Sequence, residues 1–154
     1  MKRRTFLKGT IAGSMVGTAI GAGLLTPRMV LAAWPSASFK AKTVSEALSE
    51  LHGTSDTKQS GDIKIKAPDI AENGAVVPIT ISTKMSNVEA ITVLVEKNPQ
   101  PLVCNFNLAS NATGFASTRI KMGKTSPITA IVKSGGKLYS NSKTVKVTIG
   151  GCGG

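Results

Sequence analysis

The chain has 154 residues, room for one domain. Its 19 basic residues against 8 acidic ones give a net charge of +11, a balance that at first suggests a nucleic-acid binder. One histidine and two cysteines leave little from which to build a catalytic constellation or a metal cluster.

The N-terminal stretch changes the meaning of that charge. MKRRTFLKG carries Arg3 and Arg4, followed by Phe6, Leu7 and Lys8. A weakly apolar run rich in Gly, Ala and Thr spans residues 10–25, and Val30 to Ala33 supply small residues. A basic segment, an apolar segment and a small-residue cleavage site in that order make an export signal. The pattern resembles a twin-arginine signal, R-R-x-F-L-K, with Lys2 where Ser or Thr is usual. The apolar run is too short and too glycine-rich for a comfortable membrane anchor. We therefore expect a signal peptide over residues 1–32, cleaved after Ala32 or Ala33, and a periplasmic protein. Lys2, Arg3, Arg4, Lys8 and Arg28 leave with the signal, which keeps 14 basic residues against 8 acidic ones, a net of +6. The remaining lysines are scattered, with no aromatic interleaving, so nucleic acid is not the expected partner. The twin-arginine route exports folded proteins, which favours a partner subunit bound before export.

The carrier domain is expected over residues 33–149. TVSEALSELHG places Val44, Ala47, Leu48 and Leu51 on one helical face. Thr43 with Glu46 reads as a capping box, and Gly53 as the residue that ends the helix. His52 sits at the helix end, where it favours the dipole and takes no catalytic or metal role. From Ile63 onward the period becomes two. Alternating sets are Ile63/Ile65, Val77/Ile79/Ile81, Ile91/Val93/Val95, Leu102/Cys104/Phe106/Leu108, Thr118/Ile120/Met122, Ile128/Ala130/Val132 and Val145/Val147/Ile149. ENG, KNPQP, SNATG and SGGK between them are turn chemistry. Pro78 inside its run suggests an edge strand or a bulge. About seven short strands with turns predict an all-β fold. The expected form is an immunoglobulin-like antiparallel β-sandwich preceded by one N-terminal helix.

No motif for a cofactor is present: GGK at Gly135 to Lys137 lacks the P-loop spacing, and there is no CxxC. We expect no cofactor, no metal and no catalytic residues. Cys104 shares its alternation with Leu102, Phe106 and Leu108 and reads as a small buried hydrophobe. Cys152 stands in GGCGG, between Gly150, Gly151 and Gly153, Gly154. Glycines carry no side chain to clash in a narrow channel and leave the backbone free. Residues 150–154 therefore read as a carrier arm that presents one thiol, a handle on which other proteins act.

GGCGG, with AENGAVVPI (residues 71–79), EKNPQPL (residues 96–102) and TRIKM (residues 118–122), resembles the SoxY family of sulfur carriers in bacterial thiosulfate oxidation. The resemblance implies a non-enzymatic carrier with Cys152 as the covalent attachment point. It implies a heterodimer with a SoxZ-like subunit. It also implies a SoxXA-like cytochrome that loads thiosulfate, a SoxB-like hydrolase that releases sulfate, and in some organisms a SoxCD-like dehydrogenase. The residues alone leave three alternatives: a structural module whose tail cysteine forms an intermolecular disulfide, a thiocarboxylate carrier ending in Gly-Gly, and a small redox enzyme lacking its second thiol.

Overall fold

The computed structural model describes residues 34–148. The contacts divide the chain after Trp34, and the unit that begins at Pro35 is taken by itself. The expected signal peptide, Ile149 and the 150–154 segment lie outside the described residues. Two helices come first, α1 (Ser36–Lys40) and α2 (Val44–His52). Only the second was expected. α1 is a five-residue turn of helix with no side-chain cap, too short to leave a periodic signal. The ends of α2 are as its sequence specifies. Thr43 Oγ1 accepts the Glu46 amide at 3.2 Å, and Gly53 closes the helix at φ 78°. The return half of the box reaches one residue further back, where Lys42 N–H donates to Glu46 Oε2 at 3.0 Å.

Nine strands follow: β1 (Lys58–Gln59), β2 (Ile63–Lys66), β3 (Ile70–Ala71), β4 (Val77–Thr83), β5 (Val88–Val95), β6 (Leu102–Asn107), β7 (Phe115–Ile120), β8 (Ser126–Ser134) and β9 (Lys137–Val147). Seven of them have four residues or more, and each overlaps one of the alternating runs of the sequence, although β9 begins at Lys137, eight residues before its run, and β7 begins at Phe115 and ends before Met122. The larger sheet has the order β1-β9-β8-β5-β6, with β3 also on β9; the smaller has the order β2-β4-β7. All pairings are antiparallel except those of the two-residue strands β1 and β3, which run parallel to β9. The fold is thus the expected all-β, immunoglobulin-like sandwich. The β8–β9 hairpin turns on Gly135 and Gly136, both at positive φ, where glycine carries no steric penalty.

The two sheets enclose a core of Ile63, Val77, Ile79, Ile81, Ile91, Val93, Ile128, Val132 and Val145, among others. A second core lies on the opposite face of the larger sheet. There Leu94, Leu102, Ile131 and Leu138 meet Ala47 and Leu48 of α2. This explains why β5 is buried almost throughout. Its odd-numbered side chains Ile91, Val93 and Val95 face the sandwich interior, and Leu94 faces the helix. Each such aliphatic side chain contributes about 1.5–3 kcal/mol by leaving water.

Two expectations are corrected. Leu102 does not share a face with Cys104. The β5–β6 register slips between Val93 and Leu94, so Cys104 pairs with Val93 while Leu102 pairs with Leu94. A bulge of one residue flips every side chain beyond it to the other face. Leu102 therefore joins the helix core, while Cys104 and Phe106 pack on the sandwich core. Pro78 lies on β4, the central strand of the smaller sheet, and not on an edge strand. The strand tolerates it because β2 ends at Lys66 opposite Thr80. At Pro78 only β7 is alongside, through Arg119.

Candidate functional site

Cys152 and its flanking Gly150, Gly151, Gly153 and Gly154 lie outside the described residues, so the site is built from what holds the chain immediately before them. β9 carries the chain to Val147, and three elements clamp its last turn of strand. β3 runs alongside, with Ile70 opposite Lys146 and Ala71 opposite Val147. The Lys146 amide donates to the Asp69 carbonyl at 3.0 Å, and the Thr148 amide to the Ala71 carbonyl at 3.1 Å. On the other side of β9, the Val147 amide donates to Thr125 Oγ1 at 2.9 Å. Between them Gly74 packs so closely that a Cβ there would stand 2.8 Å from Val147 Cγ1 and collide with the Met122 carbonyl. Only a residue without a side chain fits without displacement.

Gly74 is placed by its own turn. Asn73 Oδ1 accepts the Ala75 amide at 2.9 Å, and the Gly74 carbonyl accepts the Met122 amide at 2.7 Å. Asn98 ties in the β5–β6 turn: its Nδ2 donates to the Lys121 carbonyl at 2.8 Å and its Oδ1 accepts the Gly123 amide at 3.0 Å. Asn98 and Gly123 also line a cleft of about 500 Å³ with Pro99, Gln100, Leu102 and Lys121. AENG, EKNPQPL and TRIKM are distant in sequence yet meet at this end of the sandwich. Gly74 and Asn98 carry a sequence signal as turn residues, in ENG and KNPQP, and stand in segments of family resemblance, but neither signal marks them as supports of this strand end; Thr125 carries none.

The other polar candidates are structural. Cys104 is a free, half-buried thiol on β6, and burial pushes its pKa up to about 11. At neutral pH it is protonated and a poor nucleophile. His52 Nε2 donates to Thr92 Oγ1 at 2.9 Å, and that hydroxyl spends its proton on Asn105 Oδ1 at 2.7 Å. The histidine thereby pins the end of α2 to the fully buried Thr92 on β5. Burial first, and then the Lys133 ammonium, lower its pKa below the ordinary value. The helix-end position foreseen for His52 is thus a docking contact with the sheet. Among the described residues no three His, Cys, Asp or Glu side chains cluster as metal ligands. Among them, too, no helix is long and apolar enough to cross a membrane.

Fold and site together define an immunoglobulin-like sandwich that holds Val147, the end of β9, and the following Thr148 in a fixed place. A family model described as Sulfur oxidation protein SoxY matches residues 48–152. The sulfur carrier protein SoxY from Chlorobium limicola f thiosulfatophilum is similar in structure. It is 38% identical, at a TM-score of 0.61 over 67% of this chain and 94% of that one. The chain belongs to the SoxY family of sulfur oxidation proteins. A chain from a structure on T cell specificity and activation by the bacterial superantigen toxic shock syndrome toxin-1 also matches. At 8% identity and a TM-score of 0.40 over 56% of this chain and 99% of that one, it has no bearing here. Among curated protein sequences, nothing matches.

Proposed function

We propose that the chain is a periplasmic sulfur carrier that holds thiosulfate-derived sulfur on Cys152 and presents it to separate enzymes. The observation that carries this reading is the contrast between the two cysteines. Burial holds Cys104 protonated at its pKa of about 11. Cys152 stands four residues beyond Thr148, the last residue of a clamped strand end, and has only glycines beside it. Four residues span at most about 14 Å, enough to carry a thiol clear of the sandwich.

The chemistry asks little of the carrier. In loading, the Cys152 thiolate and the terminal sulfur of thiosulfate form a sulfur–sulfur bond. Two electrons pass to the oxidising enzyme, a SoxXA-like cytochrome, and the product is a cysteine S-thiosulfonate. A SoxB-like hydrolase then adds water across the bond to the sulfonate, releasing sulfate and leaving a persulfide on Cys152. A SoxCD-like dehydrogenase oxidises that sulfur further where it is present. The carrier supplies the thiol and its delivery, and the active sites belong to the partners. The twin-arginine signal over residues 1–32 supports export of the folded chain with a SoxZ-like subunit that has no signal of its own.

The test is mass spectrometry of the chain with its partner subunit after incubation with thiosulfate and the loading cytochrome. The peptide that contains Cys152 gains one thiosulfate, and Cys152→Ser abolishes the gain with the fold unchanged. Loading that persists in Cys152→Ser, or a disulfide dimer that takes no adduct, would sink the reading.

A further inference from the structure

The outer face of the smaller sheet is cationic and, among the described residues, uncovered. The register β2-β4-β7 aligns Lys64 with Ser82 and Phe115, Lys66 with Thr80 and Ser117, and Pro78 with Arg119. The alternate side chains of these strands line the core, so these point to the opposite face. Lys64, Lys66, Ser117 and Arg119 are exposed, and Phe115 is 54% exposed. Strand spacing puts Lys66 about 7 Å from Lys64 and about 12 Å from Arg119 at the backbone. None of the chain's 8 carboxylates lies on the three strands. Asp62, just before β2, is held by Ser60, and Asp69 pairs with Lys143 at 3.0 Å. Glu89 pairs with Lys133 on the other sheet. The α2 helix packs on the larger sheet, leaving this face without a cover among the described residues.

We infer that the face bearing Lys64, Lys66, Arg119 and Phe115 docks an acidic protein surface on the enzyme that loads Cys152. The inference rests on the carrier reading above. A sheet face presents its side chains in parallel, so it suits an extended negative surface and not one small anion. Charges at the edge of a contact act mainly on the rate of encounter. A carrier that visits enzymes in turn needs fast encounter and ready release, and Phe115 supplies one apolar anchor within the charged field. The position is also right. Three residues beyond Arg119, Met122 bonds to Gly74 against Val147, so the Arg119 end of the face adjoins the strand end that lies five residues before Cys152 in the sequence.

The test compares the wild-type complex with a variant carrying Lys64→Glu, Lys66→Glu and Arg119→Glu. Initial rates of thiosulfate loading are measured at about 10 mM and about 200 mM salt. Wild type slows about tenfold or more as salt rises, and the variant at low salt is slower by at least a similar factor with a flat salt profile. Alkylation of Cys152 by iodoacetamide is the same in both, and the Gln triple variant falls between them. Equal loading rates, or a salt-independent wild type, overturn the inference. A variant that loses its partner subunit also overturns it, because the face is then the permanent interface. So does unchanged loading with loss of binding to phosphatidylglycerol vesicles, which makes the face a membrane contact. A wild-type complex that takes no adduct overturns the carrier reading itself, and this inference with it.

Discussion

Gly74 and Val147 meet at a distance that admits no side chain on the glycine: a Cβ there would lie 2.8 Å from Val147 Cγ1. The contact joins the turn before β4 to the end of β9. A Gly74→Ala substitution forces Met122 or Val147 to shift. We expect a loss of about 1–3 kcal/mol, the usual cost of overpacking. Chemical denaturation measures it, and a Gly74→Ala protein as stable as wild type would mean that the contact yields without cost.

The two thiols are expected to react at very different rates. With a pKa of about 11, Cys104 is thiolate to about one part in a thousand at pH 8. An ordinary exposed thiol at pKa about 8.5 is then about one quarter thiolate. Iodoacetamide at pH 8 should label Cys152 at least about a hundredfold faster than Cys104, read by peptide mapping. Adding denaturant should bring Cys104 up to a comparable rate. Equal labelling of the two in the folded protein would contradict the protection of Cys104 by burial.

His52 ties stability to pH. Its folded pKa is lowered by burial and by Lys133, below the ordinary value of about 6.5 in the unfolded chain. The unfolded state therefore binds more protons over this window, and stability rises with pH. The contribution is complete above about pH 6.5 and is lost as pH falls through and below that value. Denaturation midpoints at pH 8 and pH 5.5 should show this decline, and His52→Gln should flatten it. A steeper decline in His52→Gln would mean that other groups set the profile.

Leu48 tests the second core. It is 3% exposed and holds α2 against Leu94 and Ile131. Leu48→Ala should cost about 2–5 kcal/mol in thermal or chemical unfolding. A cost below about 1 kcal/mol would mean that α2 does not share the cooperative unit of the sandwich.

Amino-acid order alone determined the helix with its caps, the strands of four or more residues, and the glycine turns. Each of these depends on spacing within a few residues: Thr43 with Glu46, Val77 with Ile79 and Ile81, Gly135 with Gly136. It also singled out Cys152 by its neighbours. Contacts between distant segments were decided only by the tertiary structure. The slip between Val93 and Leu94 sent Leu102 to the helix and left Cys104 on the sandwich core, because a bulge depends on two strands at once. Pro78 could stand in a central strand because β2 stops short of it. β1 and β3 have two residues each and no period of their own; they exist because β9 offers them a partner. The base of the 150–154 segment is of the same kind. Gly74 by close packing, and Asn98 and Thr125 by side-chain oxygens that accept distant backbone amides, come together there, which no local pattern encodes.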